Sequence, residues 1–150
     1  MFTKAVVVLA AAASLVSAAP QPTPVSSAPE AKRTFHWGLA TVYNQFGAYG
    51  SCGQIHSDKD FIAAITPSWQ GSGYPPKYCG RKMVVTNTGS NDGVGGAGKS
   101  TIVTIADTCP GCSTADSIDL SFGAWNYLTN NAPPGTFNVQ WNFCNANGQC

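Results

Sequence analysis

Hydrophobic and polar positions alternate along this chain in short runs, each bounded by turn residues. Ile102, Val103, Thr104 and Ile105 are β-branched and stiff at χ1, which suits a pleated, buried strand ending at Asp107. A turn closed by Cys109-Pro110-Gly111-Cys112 follows, then a second short apolar piece, Ile118-Asp119-Leu120. Ser121 stands where it can cap a helix through Leu128, with Phe122, Trp125 and Leu128 recurring at i, i+3 and i+6. Leu39 to Tyr43 alternates around Ala40 and Val42 and predicts the first strand. Met83 to Thr86 predicts another. Phe137 to Phe143 predicts the last, with Phe137, Val139 and Trp141 on one face and Asn138 and Gln140 on the other. Between the first of these strands and Met83, Ser57 or Asp58 is expected to cap a short helix, Lys59 to Ile65, with Phe61, Ile62 and Ile65 as its inner face and Pro67 as its stop. Gly-rich or Pro-rich loops fill the rest: Phe46 to Cys52, Trp69 to Tyr78 and Asn87 to Gly98. No repeat at a solenoid period is present. Short strands with two short helices point to a closed β-barrel, which also removes exposed sheet edges.

Composition changes this picture at the N-terminus. Lys4 precedes an apolar run, Ala5 to Val16, and Val16-Ser17-Ala18 fits small-residue cleavage. Residues 1–18 read as a secretory signal peptide, too short and wrongly flanked to span a membrane. Residues 19–33 hold four of the ten prolines and read as a spacer, ending in a dibasic Lys32-Arg33 that is a candidate processing site. The folded domain is then residues 34–150. Within it Lys59, Lys77, Arg81, Lys82 and Lys99 face six aspartates, a formal charge of −1. Nothing in that balance attracts nucleic acid or an anionic membrane. Six cysteines in a secreted chain this small read as three disulfides, with fifteen pairings open in principle. Proximity favours Cys109–Cys112 and Cys144–Cys150.

Several motifs name chemistries that their context rejects. Gly93 to Ser100 reads GVGGAGKS, a literal phosphate-loop string, but it precedes a predicted strand where such a loop must open a helix. No nucleotide is expected. Cys109-x-x-Cys112 lacks the βαβ setting of a redox pair and reads as a structural bridge. Zinc held by Cys109, Cys112, Cys144 and Cys150 conflicts with an oxidising compartment. His36 and His56 stand outside every motif, and neither HExxH nor G-x-S-x-G occurs. No metal, cofactor or catalytic residue is assigned, and a monomer is expected. Asp107 and Asp119 remain, each at the end of an ordered element beside a cross-linked turn. Each has a plain structural role open to it, as an acceptor for turn N–H groups or as a helix-entry residue. In the functional reading both carboxylates share one groove, with Thr41 and Tyr43 opposite, and accept hydrogen bonds from the hydroxyl groups of a ligand. Among the aromatic residues most belong to the core, and the loop residues Trp69 and Tyr74 are the expected exposed ones.

Four strings together carry a resemblance: Ile105 to Cys112 as I-x-D-x-C-P-G-C followed by IDLS (Ile118 to Ser121), GLATVY (Gly38 to Tyr43), SCG (Ser51 to Gly53) and YCGRKMVVTN (Tyr78 to Asn87). In this order they resemble the expansin, barwin and RlpA-like proteins over Trp37 to Phe143, and most closely the single-domain fungal expansin-related loosenins. The resemblance implies an all-β fold, a six-stranded double-psi β-barrel with two short helices, and a Cys52–Cys79 bridge. It implies a secreted, extracellular protein that binds a wall polysaccharide, cellulose or chitin, and loosens it without cleavage. A second reading is a protein-binding module, a secreted protease inhibitor or host-interacting effector; a weak endoglucanase is the third. Asp119 lies in a segment similar to the one bearing the general acid of barwin-related endoglucanases. The position of their general base is Gln45 here, an amide that takes up no proton. Where expansins place a tyrosine two residues after the aspartate matching Asp107, this chain has Cys109. The second, carbohydrate-binding domain of full expansins has no counterpart in these 150 residues.

Overall fold

A computed structural model describes residues 34–150; the expected leader and spacer lie outside the described residues. The elements in chain order are β1 (His36–Tyr43), β2 (Ile62–Ile65), α1 (Pro67–Gln70), β3 (Lys82–Asn87), β4 (Ser100–Thr108), β5 (Ile118–Ser121), α2 (Phe122–Thr129) and β6 (Phe137–Phe143). The strands close into a barrel in the order β1-β5-β2-β4-β3-β6. β1 with β5 and β2 with β4 run parallel, and the other four neighbouring pairs are antiparallel.

Five strands stand where the sequence predicts them. The sixth is Ile62–Ile65, which the sequence pattern assigns to a helix. All four residues of this strand are buried, so the run shows neither the period of a strand nor that of a helix. The expected helix cap is a local turn instead. Ser57 Oγ accepts from the Lys59 N–H (3.2 Å), and the Asp60 carboxylate accepts from the Ser57 N–H (3.0 Å). Pro67 opens helix α1 rather than stopping a helix, because a residue without an N–H is tolerated in the first turn. Among the described residues there are two short helices, as expected, but one lies at Pro67–Gln70.

The barrel interior is filled by the inward residues of every strand, among them Ala40, Ile65, Met83, Ile105, Leu120 and Trp141. Helix α2 adds Ala124, Trp125 and Leu128 to the same core. Ser121 Oγ accepts from the Ala124 N–H (3.4 Å), and Asn130 ends the helix in the left-handed region (φ 60°). The bridges are Cys52–Cys79, Cys109–Cys112 and Cys144–Cys150. The first spans 27 positions and contributes on the order of 3 to 4 kcal/mol by restricting the unfolded chain. Gly93 to Ser100 leads into β4, a strand, so it has no helix N-terminus at which to hold phosphate. Among the described residues no helix is long and apolar enough to cross a membrane.

Candidate functional site

Ile118 and Leu120 point into the barrel, so the pleat turns Asp119 outward. The parallel pairing of β1 with β5 sets Thr41 beside Asp119, and the antiparallel pairing of β5 with β2 sets Ala64 on its other side. Across the next ladder Ala64 faces Asp107. Thr41, Asp119, Ala64 and Asp107 therefore form one row over four adjacent strands. With strands about 4.8 Å apart, the two aspartate Cα atoms are about 10 Å from each other, and only the methyl of Ala64 rises between them.

Asp107 reaches this row through an irregularity. Ala63 pairs with Ile105 and Ala64 with Asp107, so Ala106 is one extra residue in β4. Strict alternation would send Asp107 inward with Ile105; the bulge re-aims it at the groove. The groove has a volume of about 370 Å³ and is lined by Thr41, Tyr43, Ala64, Asp107 and Asp119, with the Cys109–Cys112 turn, Ser113 and Ser117 as one wall.

The two carboxylates are held differently. Asp107 Oδ1 accepts from the backbone N–H groups of Ser51 (2.7 Å) and Thr108 (2.8 Å). It thus ties the loop after β1 to the end of β4. Asp119 Oδ1 accepts from the Thr41 hydroxyl. Its Oδ2 lies 3.1 Å from Cys109 Sγ, a disulfide sulfur with no proton to give. Burial pushes the Asp119 carboxyl above the usual carboxylate range. Cys109 Sγ, Cys112 Sγ and an Asp119 oxygen lie within 4.8 Å of one another, but bridged sulfurs are not thiolates and do not ligate metal. The Tyr43 hydroxyl is buried and has no hydrogen-bond partner among the described residues. Burial pushes its pKa above the usual range, and the charges of Asp107, Asp119 and Asp58 add to the shift, so the phenol keeps its proton.

Gln45 is only 6% exposed and does not line the groove. Its backbone N–H donates to Asp58 Oδ1 (2.9 Å), its Oε1 accepts from the His56 N–H (2.8 Å), and its Nε2 has no partner among the described residues. Gly50 makes this arrangement possible. A Cβ there would sit 2.6 Å from Gln45 Nε2 and 2.7 Å from the Ala106 carbonyl oxygen.

The structure brings Asp107, Asp119, Thr41 and Tyr43 together and leaves Trp69 and Tyr74 outside the groove lining. Tyr74 is an exposed loop residue. Trp69 is not: it lies on α1, half-buried, its indole N–H donating to the Asp116 carboxylate (2.9 Å) and its ring 5.5 Å from those of Trp141 and Phe143. It is an anchor of α1, because the Pro67 turn folds it back onto the barrel. Ala64 and the bulge residue Ala106 had no signal in the sequence. Asp58, which joins the charges around Tyr43, sits in a turn that reads as a helix cap.

No protein-family model matches this chain, and comparison with curated proteins returns no match. Solved structures do match. The Streptomyces papain inhibitor superposes with a TM-score of 0.57 at 26% identity, over 73% of this chain and 94% of the inhibitor. A variant of the Clavibacter michiganensis expansin in complex with cellohexaose gives 0.53 at 24% identity, over 73% of this chain and 50% of the expansin. The β-1,4-D-endoglucanase of the blue mussel Mytilus edulis gives 0.59 at 19% identity, over 83% and 87%. All of these are double-psi β-barrels. So is this chain. The present chain matches about half the length of the expansin, and at these identities the likeness to the expansin and the endoglucanase is one of fold.

The raised pKa of Asp119 has a direction in stability. The folded chain holds this proton to higher pH than the unfolded chain does, so the contribution is fully present below the unfolded pKa and is lost as pH rises through the folded one. Asp119→Asn cannot ionise. It should gain stability relative to the wild type between pH 3 and pH 7, as read by urea unfolding at both values. A gap that stays constant, or moves the other way, contradicts burial as the cause.

Proposed function

We propose that this is a secreted barrel that binds a cell-wall polysaccharide, cellulose or chitin, in the groove across β1, β5, β2 and β4 and loosens it without cleaving it. The observation that carries the reading is the row Thr41–Asp119–Ala64–Asp107. Two acidic acceptors flank a low methyl floor in an open groove, which suits a neutral chain rich in hydroxyl donors. Absence of cleavage is inferred from Gln45. An inverting hydrolase needs a carboxylate to take the proton of the attacking water. Here the corresponding residue is an amide, buried and held by Asp58 and His56. The expansin–cellohexaose complex supports the choice of ligand by fold analogy alone.

A second reading, binding of a secreted protease, is favoured by a different surface. Phe46 (84% exposed), Tyr49 and Tyr74 project from loops tied together by Cys52–Cys79, and the match to the papain inhibitor covers nearly all of that protein. Co-sedimentation with insoluble cellulose and chitin, run beside a papain inhibition assay, separates the two. Binding to either solid without inhibition is the expected result; inhibition without binding moves the function to the aromatic loops.

The same proposal includes export by the leader and loss of the spacer after Lys32-Arg33. N-terminal sequencing of secreted material should then read from Thr34; a start at Ala19 means that only the leader is removed.

A further inference from the structure

Of the four tryptophans, three give their indole N–H to the protein. Trp69 donates to the Asp116 carboxylate, Trp141 to the Asp116 carbonyl oxygen (2.8 Å) and Trp125 to the Ala132 carbonyl oxygen (2.8 Å). Trp37 makes no such bond among the described residues, and its side chain is 60% exposed. It stands on β1, where successive outward positions are Trp37, Leu39, Thr41 and Tyr43. From Trp37 to Tyr43 that line measures about 20 Å at the rise of a strand.

A second hollow, of about 750 Å³, opens at the Trp37 end. Leu39 lines both this hollow and the groove, so the two adjoin at Leu39 along β1. The walls are suited to a sugar. Leu39 pairs with Asn138 on β6, which puts one amide in the lining on that side, and Thr88 adds a hydroxyl. Thr114 and Asp116 lie on the other side, and Asp116 is the sole ionisable residue of the lining. One flat aromatic face set among an amide and two hydroxyl groups, with little charge, matches a pyranose ring, apolar on its face and hydroxylated at its rim.

We propose that Trp37 and the hollow beside it form an extension of the binding groove, a distal subsite that holds the same neutral β-linked polysaccharide chain several sugars away from Asp119. This rests on the groove reading and adds to it a ligand length: the site is filled only by an oligosaccharide long enough to pass Leu39. The track gives the chain a direction, carboxylates at one end and a stacking platform at the other.

The test is the affinity for cello- and chito-oligosaccharides of two, four and six sugars, by calorimetry, for wild type, Trp37→Ala, Trp37→Tyr and Asp119→Asn. Wild type should gain affinity from two to six sugars. Trp37→Ala should lose about tenfold of that gain, and Trp37→Tyr, which keeps an aromatic face, should retain most of it. Asp119→Asn should weaken every length. An undiminished gain in Trp37→Ala overturns the subsite and leaves the groove standing. No binding of any oligosaccharide by the wild type overturns both. Loss of papain inhibition in Trp37→Ala, with sugar binding intact, assigns the face to a protein partner and overturns the subsite as well.

Discussion

Asp119→Asn should abolish the loosening of wetted cellulose or chitin while the barrel stays folded. Asparagine is nearly isosteric and keeps an oxygen to accept from the Thr41 hydroxyl. What it loses is the charge, and charge-assisted hydrogen bonds to hydroxyls are roughly twice as strong as neutral ones. The same substitution is expected to stabilise the protein at neutral pH, because the wild-type carboxylate is partly buried with one oxygen against a disulfide sulfur. Greater stability with lost function is what a residue kept for its chemistry gives; an aspartate kept for structure would give lower stability and unchanged loosening. Extensometry on wetted sheets and urea unfolding, both at pH 7, read the two effects on one sample. Unchanged loosening would make Asp119 structural and move the active surface elsewhere.

Trp125→Ala should lower stability by about 3 to 5 kcal/mol, the usual range for deleting a large aromatic from a core. The side chain is fully buried on α2, its ring 5.4 Å from that of Phe137, and truncation also strands the Ala132 carbonyl that accepts its N–H. Against a total of about 5 to 15 kcal/mol for a domain, that loss removes a large share. Trp37→Ala, made on the exposed face of β1, should stay within about 0.5 kcal/mol of wild type. Urea midpoints for the pair check both. Equal losses would mean that Trp37 is packed in solution.

Much of the barrel was legible because most of its strands have one face in the core and one outside it. Val103 and Ile105, Ile118 and Leu120, and Phe137, Val139 and Trp141 each repeat at a period of two and each point inward. β2 was not legible for the opposite reason. Ile62, Ala63, Ala64 and Ile65 are buried throughout, so no polar residue marks a face, and Phe61, Ile62 and Ile65 then fall by chance at helical spacing. That one strand carries Ala64, the floor of the groove, so the link between Asp107 and Asp119 was hidden with it. Asp107 itself was legible as a strand-end carboxylate, but its direction depends on the extra residue Ala106, and a bulge is fixed by the ladder opposite rather than by the strand that contains it. Trp69 is half-buried rather than exposed because Pro67, a stop by its sequence context, starts a helix that turns the indole onto Trp141 and Phe143. Cys109–Cys112 and Cys144–Cys150 followed from nearness in sequence, and Cys52–Cys79 from family resemblance alone.

Binding without cleavage is tested most directly by following one wetted sheet of cellulose or chitin for mechanical strength and for soluble reducing sugar at the same time, over a day, at pH 4 to 8. Loss of a general base typically costs 10²- to 10⁴-fold in rate, and the residue that the family resemblance sets at that position is Gln45, a buried amide. The expected result is a measurable fall in strength with no sugar above background at any of these pH values. Steady release of soluble oligosaccharide in step with the weakening would contradict it, and would mean that a carboxylate of this chain does the work of the missing base.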